Sequence, residues 1–69
     1  MKLLVIGCGS IGQRHITNLK TVLAESTIDI FDTQTELAKG IAKSHDVNLV
    51  DDTAIDSGNY DCVLVCTPP

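Results

Sequence analysis

Three glycines stand close together near the start of the chain, Gly7, Gly9 and Gly12, in the run GCGSIG. A G-x-G-x-x-G run is a weak signal alone and a strong one when it leaves a buried strand and opens an amphipathic helix. Both conditions hold here. Gly7 permits the tight turn, Gly9 lets backbone approach a pyrophosphate, and Gly12 lets helix and strand pack closely. The N–H groups of Ser10, Ile11 and Gly12, unpaired at a helix start, then face the anion together with the positive end of the helix dipole. Asp32 is the second specific residue, an acid closing the next strand twenty residues after Gly12. Its carboxylate can accept both ribose hydroxyls of an adenosine and repels a 2′-phosphate, which favours NAD over NADP. The plainer role for Asp32 is a solvated strand-end acid capping the following helix. Thr33 and Glu36 form a T-x-x-E capping box, however, and would leave Asp32 free for ligand.

Other residues in this region admit two readings. Ser10 and Gln13 form an S-x-x-Q box, so Ser10 could cap its own helix instead of meeting a ligand. Arg14 lies in the first helical turn, where a cation opposes the dipole. Contact with a cofactor phosphate would explain it, and so would an ordinary surface position. His15 reads as a surface or interface histidine. Cys8 sits where a helix start lowers a thiol pKa, and Cys66 ends the neighbouring strand at the same sheet edge. With Cys62 the count is three, with no C-x-x-C pair, and packing is the expected role of these thiols. No metal site and no acid–base pair for catalysis emerge.

The elements that must hold these residues follow from periodicity. Lys2–Ile6 (KLLVI) and residues 60–66, with their CVLVC run, are continuous apolar runs, the pattern of strands buried on both faces. Gly12, Ile16, Leu19 and Leu23 recur on one helical face. Thr27–Phe31 (TIDIF) alternates as a strand, and a second helix from Thr33 places Leu37, Ala38, Ile41 and Ala42 on one stripe despite Gly40. Residues 47–50 read as a short third strand, residues 51–57 as about one helical turn, and Gly58-Asn59 as a turn. Alternating strands and helices give a parallel α/β sheet with right-handed crossovers. The expected architecture is the N-terminal half of a Rossmann, doubly wound domain, in strand order 3-2-1-4.

Composition narrows the partners. The chain of 69 residues has one Phe, one Tyr and no Trp, so its core is aliphatic. Residues 1–24 carry a formal +3 and residues 25–69 a formal −7. An acidic chain without a basic cluster is no nucleic-acid binder, and its one positive segment is the one expected to face phosphate. No apolar run reaches the ~18 residues of a membrane span, and the short run at residues 3–6 is no signal peptide, so the expected location is cytoplasmic.

The run GCGSIGQRH, the acid-ended second strand and VLVCTPP together resemble the start of the Gfo/Idh/MocA oxidoreductases, named for glucose–fructose oxidoreductase, inositol dehydrogenase and relatives. The likeness spans essentially the whole chain. It implies an NAD- or NADP-dependent oxidation or reduction of a sugar, polyol or related small molecule. It also implies that Thr67 and Pro68 line the pocket near the nicotinamide, although Thr67-Pro68-Pro69 would equally serve as a strand terminator. Members continue into a Glu-Lys-Pro motif with a catalytic lysine and a C-terminal substrate-binding sheet domain, neither of which these residues contain. The chain is therefore expected to be a partial nucleotide-binding domain, inactive alone, that meets substrate only in the full-length protein. An adenine-nucleotide-sensing module without chemistry is the alternative. An S-adenosylmethionine-binding domain fits less well, because that ligand has no pyrophosphate for Gly12's helix to face. Produced alone, the 69 residues would present the last strand as a bare apolar edge open to self-association.

Overall fold

The computed structural model describes residues 1–66 and contains strands β1 (Lys2–Ile6), β2 (Thr27–Phe31), β3 (Asn48–Leu49) and β4 (Cys62–Val65). Helices α1 (Ser10–Val22), α2 (Thr35–His45) and α3 (Thr53–Ser57) separate them. All strand pairs are parallel, and the sheet runs β3-β2-β1-β4. That is the N-terminal half of a Rossmann fold, in the order the alternating pattern predicts.

Strand alternation sends successive side chains to opposite faces. Leu3 and Val5 on β1 stand in register with Ile28 and Ile30 on β2. These four pack with Cys8, Ile16, Ala38 and Ile41 into a buried cluster, closed at its edges by Leu19, Leu23, Ala42, Val47, Leu49 and Cys66. One sheet face is thus covered by α1 and α2. The small Gly12 and the apolar Ile16 are the residues that α1 buries, as its periodicity requires. The first turn of α2 behaves differently from the expected stripe: Ala38 and Ile41 are buried, but Leu37 is 40% exposed.

The second face has less cover. Leu4 is fully buried yet lies outside that cluster, and it is in register with Asp29 on β2 and Val63 on β4. Val63 and Val65 are 44% and 68% exposed. The expectation that β4 is buried on both faces is therefore not met. Among the described residues only β1 pairs with it and α3, five residues long, buries none of its side chains. Strand β3 is shorter than residues 47–50; Val50 still donates its N–H to the Ile30 carbonyl at 2.9 Å, so the chain keeps strand direction past the formal end.

Asp29 is the one buried polar or charged residue among those described. A carboxylate in mid-strand needs donors, and two reach it: Asn48 Nδ2 at 3.1 Å and the Tyr60 hydroxyl at 2.7 Å. Burial first, then the Asp29 carboxylate, pushes the Tyr60 phenol up to about 12. Tyr60 also lies beneath the Lys2 ammonium, 5.0 Å from ring centre. These bonds anchor the crossover after α3 to the middle of the sheet. No helix among the described residues is long and apolar enough to cross a membrane.

Candidate dinucleotide site

The glycine loop lies between the carboxyl end of β1 and the first turn of α1. Gly7 has φ 97°, a conformation that favours glycine, and its N–H is held by the Phe31 carbonyl at 2.9 Å. Gly12 is packed against that same residue. A Cβ there would overlap the Gly7 carbonyl oxygen, with the carbonyl carbon at 3.0 Å and Cys66 Cβ at 3.8 Å. These two glycines are required by the fold itself. Gly9 is not: its φ of −69° and ψ of −169° suit any residue, and a Cβ added there meets no atom within 4 Å.

Gly9 is the N-cap of α1, and the first intrahelical bond runs from the Gln13 N–H to the Gly9 carbonyl at 2.9 Å. The N–H groups of Ser10, Ile11 and Gly12 therefore precede the helical ladder. No side chain caps this helix, and its first turn carries no acid. The S-x-x-Q box is thus not formed. Ser10 lies one position inside the helix, and Gln13 turns its side-chain amide back to the Cys8 carbonyl at 3.3 Å. The helix start leaves donors, positive dipole and an open approach over Gly9 at one place, which fits the pyrophosphate of a dinucleotide.

Asp32 sits beside this loop, at the carboxyl end of β2. Its Oδ2 accepts the Cys8 N–H at 2.7 Å and its Oδ1 accepts the Gln34 N–H at 2.9 Å. Those bonds, Gln34 first and Cys8 second, hold the carboxyl below its ordinary value and keep it ionised. The capping expectation is corrected here. Helix α2 begins at Thr35 with Gln34 as N-cap, and neither Thr33 nor another residue provides a side-chain cap bond. The turn is closed by Asp32 itself, because its carboxylate reaches an amide two residues on. Asp32 thus has a structural task, yet each carboxylate oxygen keeps a further acceptor position.

Cys8 is fully buried and free, its Sγ 3.9 Å from the Phe31 carbonyl. Burial chiefly, then the nearby Asp32 charge and Cys66, pushes its thiol up to about 11. The lowering expected from the helix start loses to desolvation, and Cys8 acts as core. Arg14 and His15 are exposed. Arg14 shares an open surface groove with Ser10, Ile11, Gln13, Thr17 and His45, on the outer side of the helix start. A second cavity, missed from the sequence, lies one strand further along the carboxyl edge, lined by Phe31, Asp32, Thr35, Leu49, Val50 and Asp51. Of its lining, the sequence had singled out only Asp32. Thr67 and Pro68 lie outside the described residues. Among those described, no group of three metal-ligating side chains comes together.

A strand-end glycine loop with two fold-required glycines, a bare helix start and an ionised acid at the next strand end is the geometry of a dinucleotide half-site. Residues 1–69 match the family described as "Oxidoreductase family, NAD-binding Rossmann fold" (GFO_IDH_MocA). The chain belongs to this family. Among solved structures, L-tryptophan dehydrogenase from Nostoc punctiforme superposes with a TM-score of 0.82 at 22% identity, over 97% of this chain and 20% of that one. At that identity the likeness supports the fold alone. The chain spans about a fifth of that enzyme's length. No curated relative matches. As a Gfo/Idh/MocA domain the chain is a nucleotide-binding Rossmann unit.

Proposed function

We propose that this chain binds NAD in preference to NADP, as the N-terminal part of an oxidoreductase acting on a sugar, polyol or related small molecule. The open approach over Gly9 carries the reading, since the fold needs glycine at Gly7 and Gly12 but not there. A side chain at Gly9 would stand over the first free amides of α1, where the pyrophosphate needs to come within hydrogen-bond distance. The amides of Ser10, Ile11 and Gly12 hold the anion, and exposed Arg14 adds a cation at the outer rim. Asp32 accepts the adenosine ribose hydroxyls on its remaining acceptor positions and repels a 2′-phosphate. Bound NAD would supply the hydride-transfer chemistry. By the family resemblance, Thr67 and Pro68 border its nicotinamide end.

Calorimetric titration of the full-length protein with NADH and NADPH tests this. NADH should bind more tightly, and Asp32→Ser should narrow the difference. Equal affinity of the wild type for both would remove the role given to Asp32. Absence of binding by either would remove the cofactor reading.

A further inference from the structure

Strand β3 is two residues long and, among the described residues, pairs with β2 alone, so few backbone bonds decide where along β2 it sits. A slip of one residue would turn Leu49 away from the core cluster to the opposite face. A slip of two residues keeps the faces, and the apolar alternation cannot reject it. The side chain opposite Asp29 can. Asn48 stands there in register, and its Nδ2 donates to Asp29 Oδ1 at 3.1 Å. A slip in one direction would put Val50 opposite Asp29, with no side-chain donor, and a slip in the other would put Asp46 there, a second carboxylate. Only one of these registers satisfies a carboxylate that is 6% exposed.

The same carboxylate also reaches across the sheet. Its Oδ2 accepts the Tyr60 hydroxyl at 2.7 Å, from the segment that enters β4. Strand β1 lies between, with Leu4 in register with both Asp29 and Val63. One side chain on β2 thus holds a donor from β3 and another from the approach to β4. Three residues beyond Asp29 stands Asp32, and two beyond Asn48 stands Val50, at the carboxyl edge. A two-residue slip would move β3 by roughly 6.6 Å along β2 and carry Val50 away from Asp32.

Building on the NAD reading, we propose that Asp29 pins the strand register of this domain through Asn48 and Tyr60 and so, without touching the cofactor, is a positioning residue for the dinucleotide site. A fully satisfied buried polar group specifies one arrangement among several of similar apolar packing. The pin works by geometry, not by charge.

The test measures NADH affinity by calorimetric titration of the full-length protein, on variants shown by thermal melt to be folded at the assay temperature. Loss of one net hydrogen bond shifts the register equilibrium about fivefold, so Asn48→Ala should bind NADH up to about fivefold more weakly. Asp29→Ala, which loses both bonds, should be weaker still. Asp29→Asn can keep both, its oxygen accepting from Asn48 and its amide donating to the Tyr60 hydroxyl oxygen, and should stay within about twofold of wild type. Amide exchange at Val50, whose N–H is bonded to the Ile30 carbonyl, should speed up in Asn48→Ala relative to the β1 amides. Wild-type affinity in folded Asn48→Ala and Asp29→Ala proteins overturns the positioning role and leaves the NAD reading standing. So does an Asp29→Asn protein as weak as Asp29→Ala. If wild type binds no NADH, the NAD reading and the positioning role fall together, and unchanged exchange at Val50 in Asn48→Ala removes the register pin as well.

Discussion

Adding one methyl group at Gly9 and at Gly12 in turn should separate ligand space from protein space. At Gly12 the new Cβ overlaps the Gly7 carbonyl oxygen, and Gly7 is itself pinned to Phe31 by its N–H. Backbone must shift, and overpacking of that kind costs about 1–3 kcal/mol. Alanine's better helix propensity returns up to ~1 kcal/mol, less at a first-turn position. The expected net loss for Gly12→Ala is about 2 kcal/mol, roughly 4–8 °C in Tm for a domain of 150–250 residues. At Gly9 the backbone is already allowed and the added atom meets nothing. Loss of unfolded-chain freedom stabilises by about 0.4–1 kcal/mol, and a poorer N-cap offsets a similar amount. Gly9→Ala should thus melt within about 2 °C of wild type. Its methyl nevertheless stands where we propose that the pyrophosphate approaches, and affinity for NADH should fall by roughly tenfold or more, about 1.4 kcal/mol. Differential scanning fluorimetry and calorimetric titration on the same full-length samples read both quantities. A Gly9→Ala protein that binds NADH as wild type does would show that the space above Gly9 is not the ligand's. An unshifted melt for Gly12→Ala would refute the packing argument for the loop.

Other perturbations have equally definite outcomes. Asp32→Ala removes acceptors from the Cys8 and Gln34 amides and should destabilise by about 1–2 kcal/mol, measured by urea unfolding at pH 7. Because folding lowers this carboxyl's pKa, its contribution is complete above the ordinary value of 3.8 and vanishes as pH falls through the folded value. Wild type and Asp32→Ala should therefore converge in stability at the acid end, and a gap that widens there would contradict the assignment. Tyr60→Phe leaves the buried Asp29 carboxylate one donor short and should cost about 1–3 kcal/mol, while the same change in an Asp29→Val background should cost much less. A double-mutant cycle with no coupling would dismiss the tether. Under limiting iodoacetamide at pH 8, mass spectrometry should find exposed Cys62 alkylated well before Cys8, whose thiol is buried and pushed up to about 11. Equal labelling would mean that the loop opens readily.

The sheet was legible in the sequence because its cues are local and redundant. KLLVI, TIDIF and the helical face through Gly12 and Ile16 each specify one element, and alternation along the chain allows few topologies. The glycine spacing and Asp32 pointed to the candidate site for the same reason: turn, helix start and strand end are features of neighbours in sequence. What was misread depends on contacts across the fold. The boxes at Ser10 and Thr33 are sound local patterns, but Gln13 found the Cys8 carbonyl and Asp32 found the Gln34 amide first. Cys8 was expected to pack, and it does; only the lowering of its thiol pKa by the helix start is overridden, by burial against the sheet. Asp29 carried no cue in the TIDIF alternation. Only the return of Tyr60, 31 residues later, makes it a buried, bonded carboxylate.

The bond from the Cys8 amide to Asp32 joins two parts of the site that sequence comparison would treat as separable modules. Redesign of cofactor choice usually begins at the strand-end acid, replacing it with a small or neutral residue so that a phosphate can enter. In this chain that replacement also releases the amide between Gly7 and Gly9 and the Gln34 amide in the turn into α2. The engineered domain would gain room for the new phosphate while losing definition in the loop proposed to hold the old ones. Asparagine, whose side-chain oxygen can still accept an amide, is therefore a better first step than alanine. A basic residue brought in from a neighbouring position, with Asp32 left as an amide, would keep the loop in place while the charge is reversed.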